Sequence, residues 1–197
     1  RKALVVPPAD VSDPEQCQRV VDAAWETFGK VDVLINNAGV GTAYPPATRE
    51  APPQQFRDVI DINLNGSYWM AQACGRVMLP GSAIVNISSI LGITTAGLPQ
   101  AAYAASKAGV IGLTRDLAQQ WGGTRKHPGQ RDRTRLLRER DDRHLQAGYL
   151  DSHDAARRPG PHRPRRGTGR HRDLAVVCGR RYITGQTLAV DGGVTIT

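Results

Sequence analysis

The sequence holds no run of eighteen apolar residues, so a standard membrane-spanning helix is not written in it, and no charged, apolar, small-residue succession of a secretory leader occurs. The expectation is a soluble, non-exported, cytoplasmic protein with no membrane partner. Cysteine is scarce. Cys17, Cys74 and Cys178 fit no zinc spacing and, being three, cannot all pair, which points to a reducing compartment. The histidines form no close pairs: His144, His153, His162 and His171 recur every nine residues, whereas metal sites favour shorter spacings. No metal is expected. Also lacking, anywhere in the 197 residues, is a Gly-x-Gly-x-x-Gly string, the turn that brings backbone N–H groups to a pyrophosphate at a helix N-terminus.

A chain of 197 residues is one domain's worth and can bury an ordinary core. Its net charge of +8 would suggest nucleic acid if it were spread over the domain. It is not spread. Between Thr124 and Arg181 there are sixteen Arg and one Lys against seven acids, a surplus of ten, and the remainder of the chain sums to −2. The basicity belongs to one segment, and nucleic acid is not an expected partner of the domain.

The chemistry concentrates between Asn86 and Gly112. An apolar run, Ala83 to Ile87, ends in Ser88-Ser89, as a buried strand delivering side chains to its carboxyl end would. A loop with Gly and Pro follows, then an Ala-rich helix carrying Tyr103 and Lys107. Residues i and i+4 project from one helix face, so phenol and ammonium share a site. A phenol of ordinary pKa about 10 is a poor acid at neutral pH, but a cation a few ångströms away favours phenolate and lowers that value by roughly 1 to 3. Such a tyrosine can pass protons to and from an alcohol or carbonyl. A lone Y-x-x-x-K is weak evidence. Here it follows the Ser-Ser strand end by fourteen residues within Y-A-A-S-K-A-G, and in that setting the sequence resembles the short-chain dehydrogenase/reductase family. The resemblance implies that Ser89, Tyr103 and Lys107 are catalytic. Ser89 is preferred to Ser88 because the family's serine stands three residues before a glycine, as Ser89 does before Gly92.

Other segments fall into place along the chain. Ala3 to Val6 reads as a short strand leading to Asp10-Val11, and the resemblance implies that Asp10 and Val11 lie against the adenine of a dinucleotide. The local alternative for Asp10 is a carboxylate flanking a helix that Ser12 or Asp13 caps, with Pro14 in its first turn. That helix is expected to run to Phe28, with Val20, Val21, Ala24, Trp25 and Phe28 on one face and Gly29 ending it. Val31 to Ile35 reads as a strand buried on both sides, ahead of Asn36-Asn37-Ala38-Gly39. In the resembled family this motif stabilises the sheet and runs beside the cofactor, which implies cofactor contact by Asn37, Ala38 and Gly39, as well as by Tyr103 and Lys107. A helix is expected over 53–77, containing D-I-N-L-N-G. Asn inside a helix competes for backbone hydrogen bonds unless its side chain is engaged. The resemblance implies that Asn63 completes the catalytic set and holds a water leading from Lys107 to solvent; Asn65 is the blander candidate.

Residues 1–123 read as a Rossmann-type core and 182–197 as its last strand and Gly-Gly turn, Y-I-T-G-Q-T-L-A-V-D-G-G. The expected fold class is α/β, a Rossmann-like doubly wound parallel sheet that is incomplete, its first strands and Gly-rich turn missing. The intervening 124–181 shows no helical or strand period and reads as an irregular tract, expected to exchange its amides rapidly and to be cut early by proteases. Written in permitted codons and moved by one nucleotide, His127 to Arg143 becomes Ile-Arg-Val-Asn-Ala-Thr-Ala-Pro-Gly-Phe-Phe-Ala-Ser-Glu-Met-Thr, which resembles the family's next strand and its Pro-Gly. The tract reads as out-of-frame translation. The implied activity is reversible hydride transfer between NAD or NADP and a small-molecule alcohol or ketone, in a homo-oligomer, dimer or tetramer. An inactive remnant of such an enzyme, or a polyanion-binding protein using the Arg tract, are the alternatives.

Overall fold

The structure is a computed structural model that describes residues 3–41, 48–79, 81–95, 97, 99–121, 133–139, 184–191 and 193–196. Helix α1 (Pro14–Phe28) is followed by β1 (Val33–Asn36), α2 (Pro53–Ile60), a π-helical turn (Asp61–Asn65), α3 (Gly66–Gly75), β2 (Ala83–Ser88), α4 (Ala101–Trp121), β3 (Arg133–Glu139) and β4 (Thr187–Val190). The four strands form one sheet in the order β1-β2-β3-β4, with every pairing parallel. Parallel neighbours require crossovers, and helices supply those that are described.

Helix α1 begins where the sequence places it. Asp13 is extended, and its Oδ1 accepts from the backbone N–H of Glu15 at 2.8 Å and of Gln16 at 3.3 Å, with Pro14 in the first turn. Gly29, at φ 71°, closes the other end by donating to the Trp25 carbonyl at 2.7 Å. Its buried stripe is Cys17 and Val21, one turn apart, while Trp25 and Phe28, expected on the inner face, are exposed. The Asp13 carboxyl is held below its ordinary value by the Gln16 side chain first and the Glu15 N–H second. A lowered folded value contributes stability that is present above the unfolded value and lost as pH falls through the folded one. The melting temperature should therefore drop on acidification below about pH 4, and Asp13→Ala should flatten that drop; equal slopes in parent and variant would refute the cap's role.

The core lies between one sheet face and the helices. Leu34 of β1 stands opposite Ile84 of β2, and both pack with Val21 of α1, Ala71 and Cys74 of α3 and Leu117 of α4. One residue pair further along on the same face, apolar contact gives way to hydrogen bonds. Asn36 Nδ2 donates to Asn86 Oδ1 at 2.8 Å and to the Ser67 carbonyl at 3.0 Å; Asn86 Nδ2 donates to Thr114 Oγ1 at 2.9 Å, which donates to the Val110 carbonyl at 2.7 Å. Buried polar groups demand partners, and this ladder satisfies each with groups from β1, β2, α3 and α4. It ties four elements together at the carboxyl ends of the strands.

Three expectations are corrected. Residues Ala3 to Val6 form no strand, and Val5 is 90% exposed: strand composition alone does not order a segment that pairs with no strand among the described residues. The strand at 31–35 begins later, at Val33, and is buried on one side only, since Ile35 is exposed while Leu34 and Asn36 are buried. Residues 133–139, within the tract expected to be irregular, form β3, paired to β2 on one edge and to β4 on the other. Pairing on both edges fixes a strand that its own weak alternation does not announce. The remainder of 124–181, with the expectations about its exchange, proteolysis and histidine spacing, lies outside the described residues, as do Tyr182 and Ile183 of the last motif. Cys17 and Cys74 are buried thiols. No helix among the described residues is long and apolar enough to cross a membrane, and no cluster among them could hold a metal ion.

Candidate active site

The carboxyl end of β2 and one face of α4 define the site. The side of α4 that packs inward carries Tyr103, Ser106, Lys107, Val110, Ile111, Thr114, Leu117 and Ala118 at helical spacing, so the two polar residues of Y-x-x-x-K lie at the upper end of an otherwise packing stripe. Tyr103 is 9% and Lys107 6% exposed. Lys107 Nζ donates to the Ile87 carbonyl at 2.9 Å and stands 5.6 Å from the centre of the Tyr103 ring. At that distance the ammonium lies within cation–π reach of the Tyr103 ring.

The two serines at the strand end have separate tasks. Ser88 donates its hydroxyl proton to the Lys107 carbonyl at 2.7 Å, which anchors β2 to α4 beside the lysine. Ser89 turns off the strand and heads a 3-10 turn (Ile90–Gly92), its Oγ accepting from the Leu91 N–H at 3.2 Å. That turn presses onto α4: a Cβ on Gly92 would lie 2.8 Å from the carbonyl carbon of Lys107 and 2.9 Å from its oxygen. Ser88 is thus tied to the helix backbone, and the hydroxyl of Ser89 retains its proton for another acceptor.

Asn63 occupies the π-helical turn that interrupts the helix expected over 53–77. The extra residue in that turn is bridged by Asn65 Nδ2 donating to Asp61 Oδ1 at 2.8 Å and by Ser67 Oγ donating to the Asn63 carbonyl at 2.8 Å. Asn65 thereby braces the turn, whereas the Asn63 side chain, 1% exposed, points across to the 37–41 segment. Its Oδ1 accepts from the Val40 N–H at 2.8 Å, and its Nδ2 donates to the Val40 carbonyl at 2.9 Å and to Ser106 Oγ at 3.0 Å. A Cβ on Gly39 would lie 3.1 Å from Asn63 Oδ1 and 3.4 Å from Lys107 Nζ, and one on Gly41 would lie 3.7 Å from the Tyr103 ring. The 39–41 backbone therefore runs over the Tyr-Lys pair at a height that leaves little room for side chains. Asn37 and Ala38, ahead of it, are exposed.

Asp10 is exposed, and its Oδ1 accepts from the backbone N–H of Ser12 at 2.9 Å and from its hydroxyl at 2.7 Å. The hydroxyl of Ser12 and then its N–H keep the carboxyl ionised below its ordinary range. Asp13, not Asp10, is the helix cap. Val11 beside it is fixed from two sides: Cys17 donates its thiol proton to the Val11 carbonyl at 3.3 Å, and a Cβ on Gly66 would lie 2.7 Å from Val11 Cγ2. Burial pushes the Cys17 thiol up, with the nearby Asp13 and Asp10 charges adding to it.

Sequence reasoning missed Ser106, Asn86, Thr114 and the Ile87 carbonyl. The first three are polar residues at packing positions of predicted elements, which is the signal that could have found them.

The family model for short chain dehydrogenases matches residues 1–125. The chain belongs to that family. An uncharacterized short-chain type dehydrogenase/reductase of Sinorhizobium fredii is 38% identical over 192 residues, covering 93% of this chain and 34% of the relative. D-threitol dehydrogenase of Mycolicibacterium smegmatis is 42% identical over 117 residues, 58% of this chain and 44% of that one. The chain thus spans less than half the length of these curated relatives. Among solved structures, a putative short-chain alcohol dehydrogenase from Sinorhizobium meliloti superposes with a TM-score of 0.82 at 28% identity, over 100% of this chain and 78% of that one. The parallel sheet with its α4 site is accordingly a Rossmann-type fold of this family.

Proposed function

We propose that this short-chain dehydrogenase chain provides the acid/base half of a site for reversible hydride transfer between NAD or NADP and a small alcohol or ketone. One observation carries the reading: Lys107 Nζ lies 5.6 Å from the Tyr103 ring, with both residues largely buried where β2 ends. Oxidising an alcohol means removing the hydroxyl proton as hydride leaves carbon. Tyr103 takes that proton as phenolate and returns it in the reverse direction, while Lys107 stabilises the phenolate and offers its ammonium to the cofactor ribose. Ser89 donates to the substrate oxygen as charge develops on it. Asn63 has committed both amide hydrogens to Val40 and Ser106, so any water it holds in the relay from Lys107 to solvent sits on its main-chain carbonyl or the second lone pair of Oδ1.

The nicotinamide dinucleotide supplies the hydride acceptor. Asn37, Ala38 and Gly39 would hold it through their backbone, and Asp10 with Val11 would hold its adenine end. The M. smegmatis relative, named for D-threitol, makes small polyols the first substrates to try. A homodimer or homotetramer in the cytoplasm completes the reading, and the buried thiols of Cys17 and Cys74 suit a reducing setting.

Two measurements test it. Because the 197 residues contain no Gly-x-Gly-x-x-Gly turn to cradle a pyrophosphate, calorimetry on this chain alone should find binding of NAD(H) and NADP(H) weaker than micromolar. The same chain supplied with a leading strand, such a turn and the shifted frame across His127 to Arg181 should oxidise a secondary alcohol, read as nicotinamide absorbance. Tight binding by the unsupplemented chain would overturn the first expectation, and a supplemented chain that binds cofactor yet turns over no alcohol or ketone would overturn the second.

A further inference from the structure

We infer that Ser106 is a positioning residue, which holds the 39–41 backbone over the Tyr-Lys pair by fixing the amide of Asn63; its catalytic consequence rests on the reading above, its geometry does not. Ser106 is fully buried, one residue before Lys107, and neither its bulk nor its polarity is needed for helix formation. Its hydroxyl proton goes to the Tyr103 carbonyl at 2.8 Å, so toward Asn63 its oxygen can only accept. Asn63 Nδ2 donates to it at 3.0 Å, which leaves the second amide hydrogen for the Val40 carbonyl and Oδ1 for the Val40 N–H. Both backbone groups of Val40 are thereby gripped by one side chain whose rotation is set by Ser106.

The consequence reaches the reacting groups through close contact. Gly39 approaches Lys107 Nζ and Asn63 Oδ1 so nearly that a methyl there would crowd both, and Gly41 lies against the Tyr103 ring. Without an acceptor at Ser106, one buried amide hydrogen of Asn63 is left unsatisfied, at a site 1% exposed. The amide then rotates toward another partner, Oδ1 leaves the Val40 N–H, and the segment over Lys107 loosens.

The test is amide exchange on the 197-residue chain, with no turnover involved, so its failure and the failure of the dehydrogenase reading are distinct events. In Ser106→Ala the Val40 amide should exchange about tenfold faster or more, while Val85 in β2 keeps its rate. Ser106→Thr, which retains the hydroxyl, should restore protection at Val40. In an Asn63→Ala background, Ser106→Ala should add nothing further, because the two act through one bond. If Ser106→Ala does not fold, Ser106→Cys, close in volume but a weak acceptor, carries the same expectation. Unchanged protection of Val40, or acceleration at Val40 and Val85 alike, would overturn the assignment.

Discussion

Tyr103→Phe, made in the chain supplied with a leading strand, a Gly-x-Gly-x-x-Gly turn and the shifted frame across His127 to Arg181, is expected to cut turnover by roughly 10²–10⁴-fold while cofactor binding persists. The substitution removes a single oxygen. The ring stays, and with it the packing against Gly41 and the position beside Lys107. What disappears is the hydroxyl to which the proposed reading gives the proton exchange with the alcohol oxygen, and general acid/base catalysis contributes about that factor. Lys107→Met removes the ammonium instead, along with its bond to the Ile87 carbonyl. It should lower turnover and weaken cofactor binding as well. An active enzyme that kept its turnover after Tyr103→Phe would remove Tyr103 from the mechanism.

The sequence could place the candidate site residues on their elements because they are bound to strong local signals. An apolar run ending in Ser-Ser, a helix whose Tyr and Lys are four apart, and an Asn at a packing position each combine a chemistry-bearing group with an element that periodicity already locates. Helix α1 was readable to within about a residue, with Ser12 or Asp13 as its cap, since such caps and Gly29 are end signals whose mechanism is local. What could not be read depends on partners distant in sequence. Residues Ala3 to Val6 have strand composition and no strand, because composition supplies no edge. Strand β3 has almost no strand composition and is a strand, because β2 and β4 supply two. The π-helical turn at Asp61–Asn65 falls in between: an Asn in a helix signals an engaged side chain, but only the approach of Val40 and Ser106 shows what engages it.

Gly92→Ala is the second large expectation, because the obstacle is backbone and cannot turn aside. The added methyl would meet the carbonyl carbon of Lys107 at 2.8 Å, its oxygen at 2.9 Å and the Ala108 nitrogen at 3.0 Å, and no rotamer change relieves contact with main-chain atoms. Overpacking of this kind costs about 1–3 kcal/mol, so the midpoint of chemical denaturation should fall accordingly. The displacement also has a direction. Ser88 holds the end of β2 to the Lys107 carbonyl, so the strand end resists while the 3-10 turn is pushed off the helix, carrying the Ser89 hydroxyl with it. Ser89→Ala at the same site adds no bulk and removes only the hydroxyl. In the supplemented enzyme both variants should therefore lose turnover with cofactor affinity retained, but Gly92→Ala should lose more stability than Ser89→Ala, which gives up only the bond to the Leu91 N–H. If Gly92→Ala were as stable as the parent, the close packing of the Ile90–Gly92 turn on α4 would be refuted, and with it the explanation of why a glycine stands three residues after the serine.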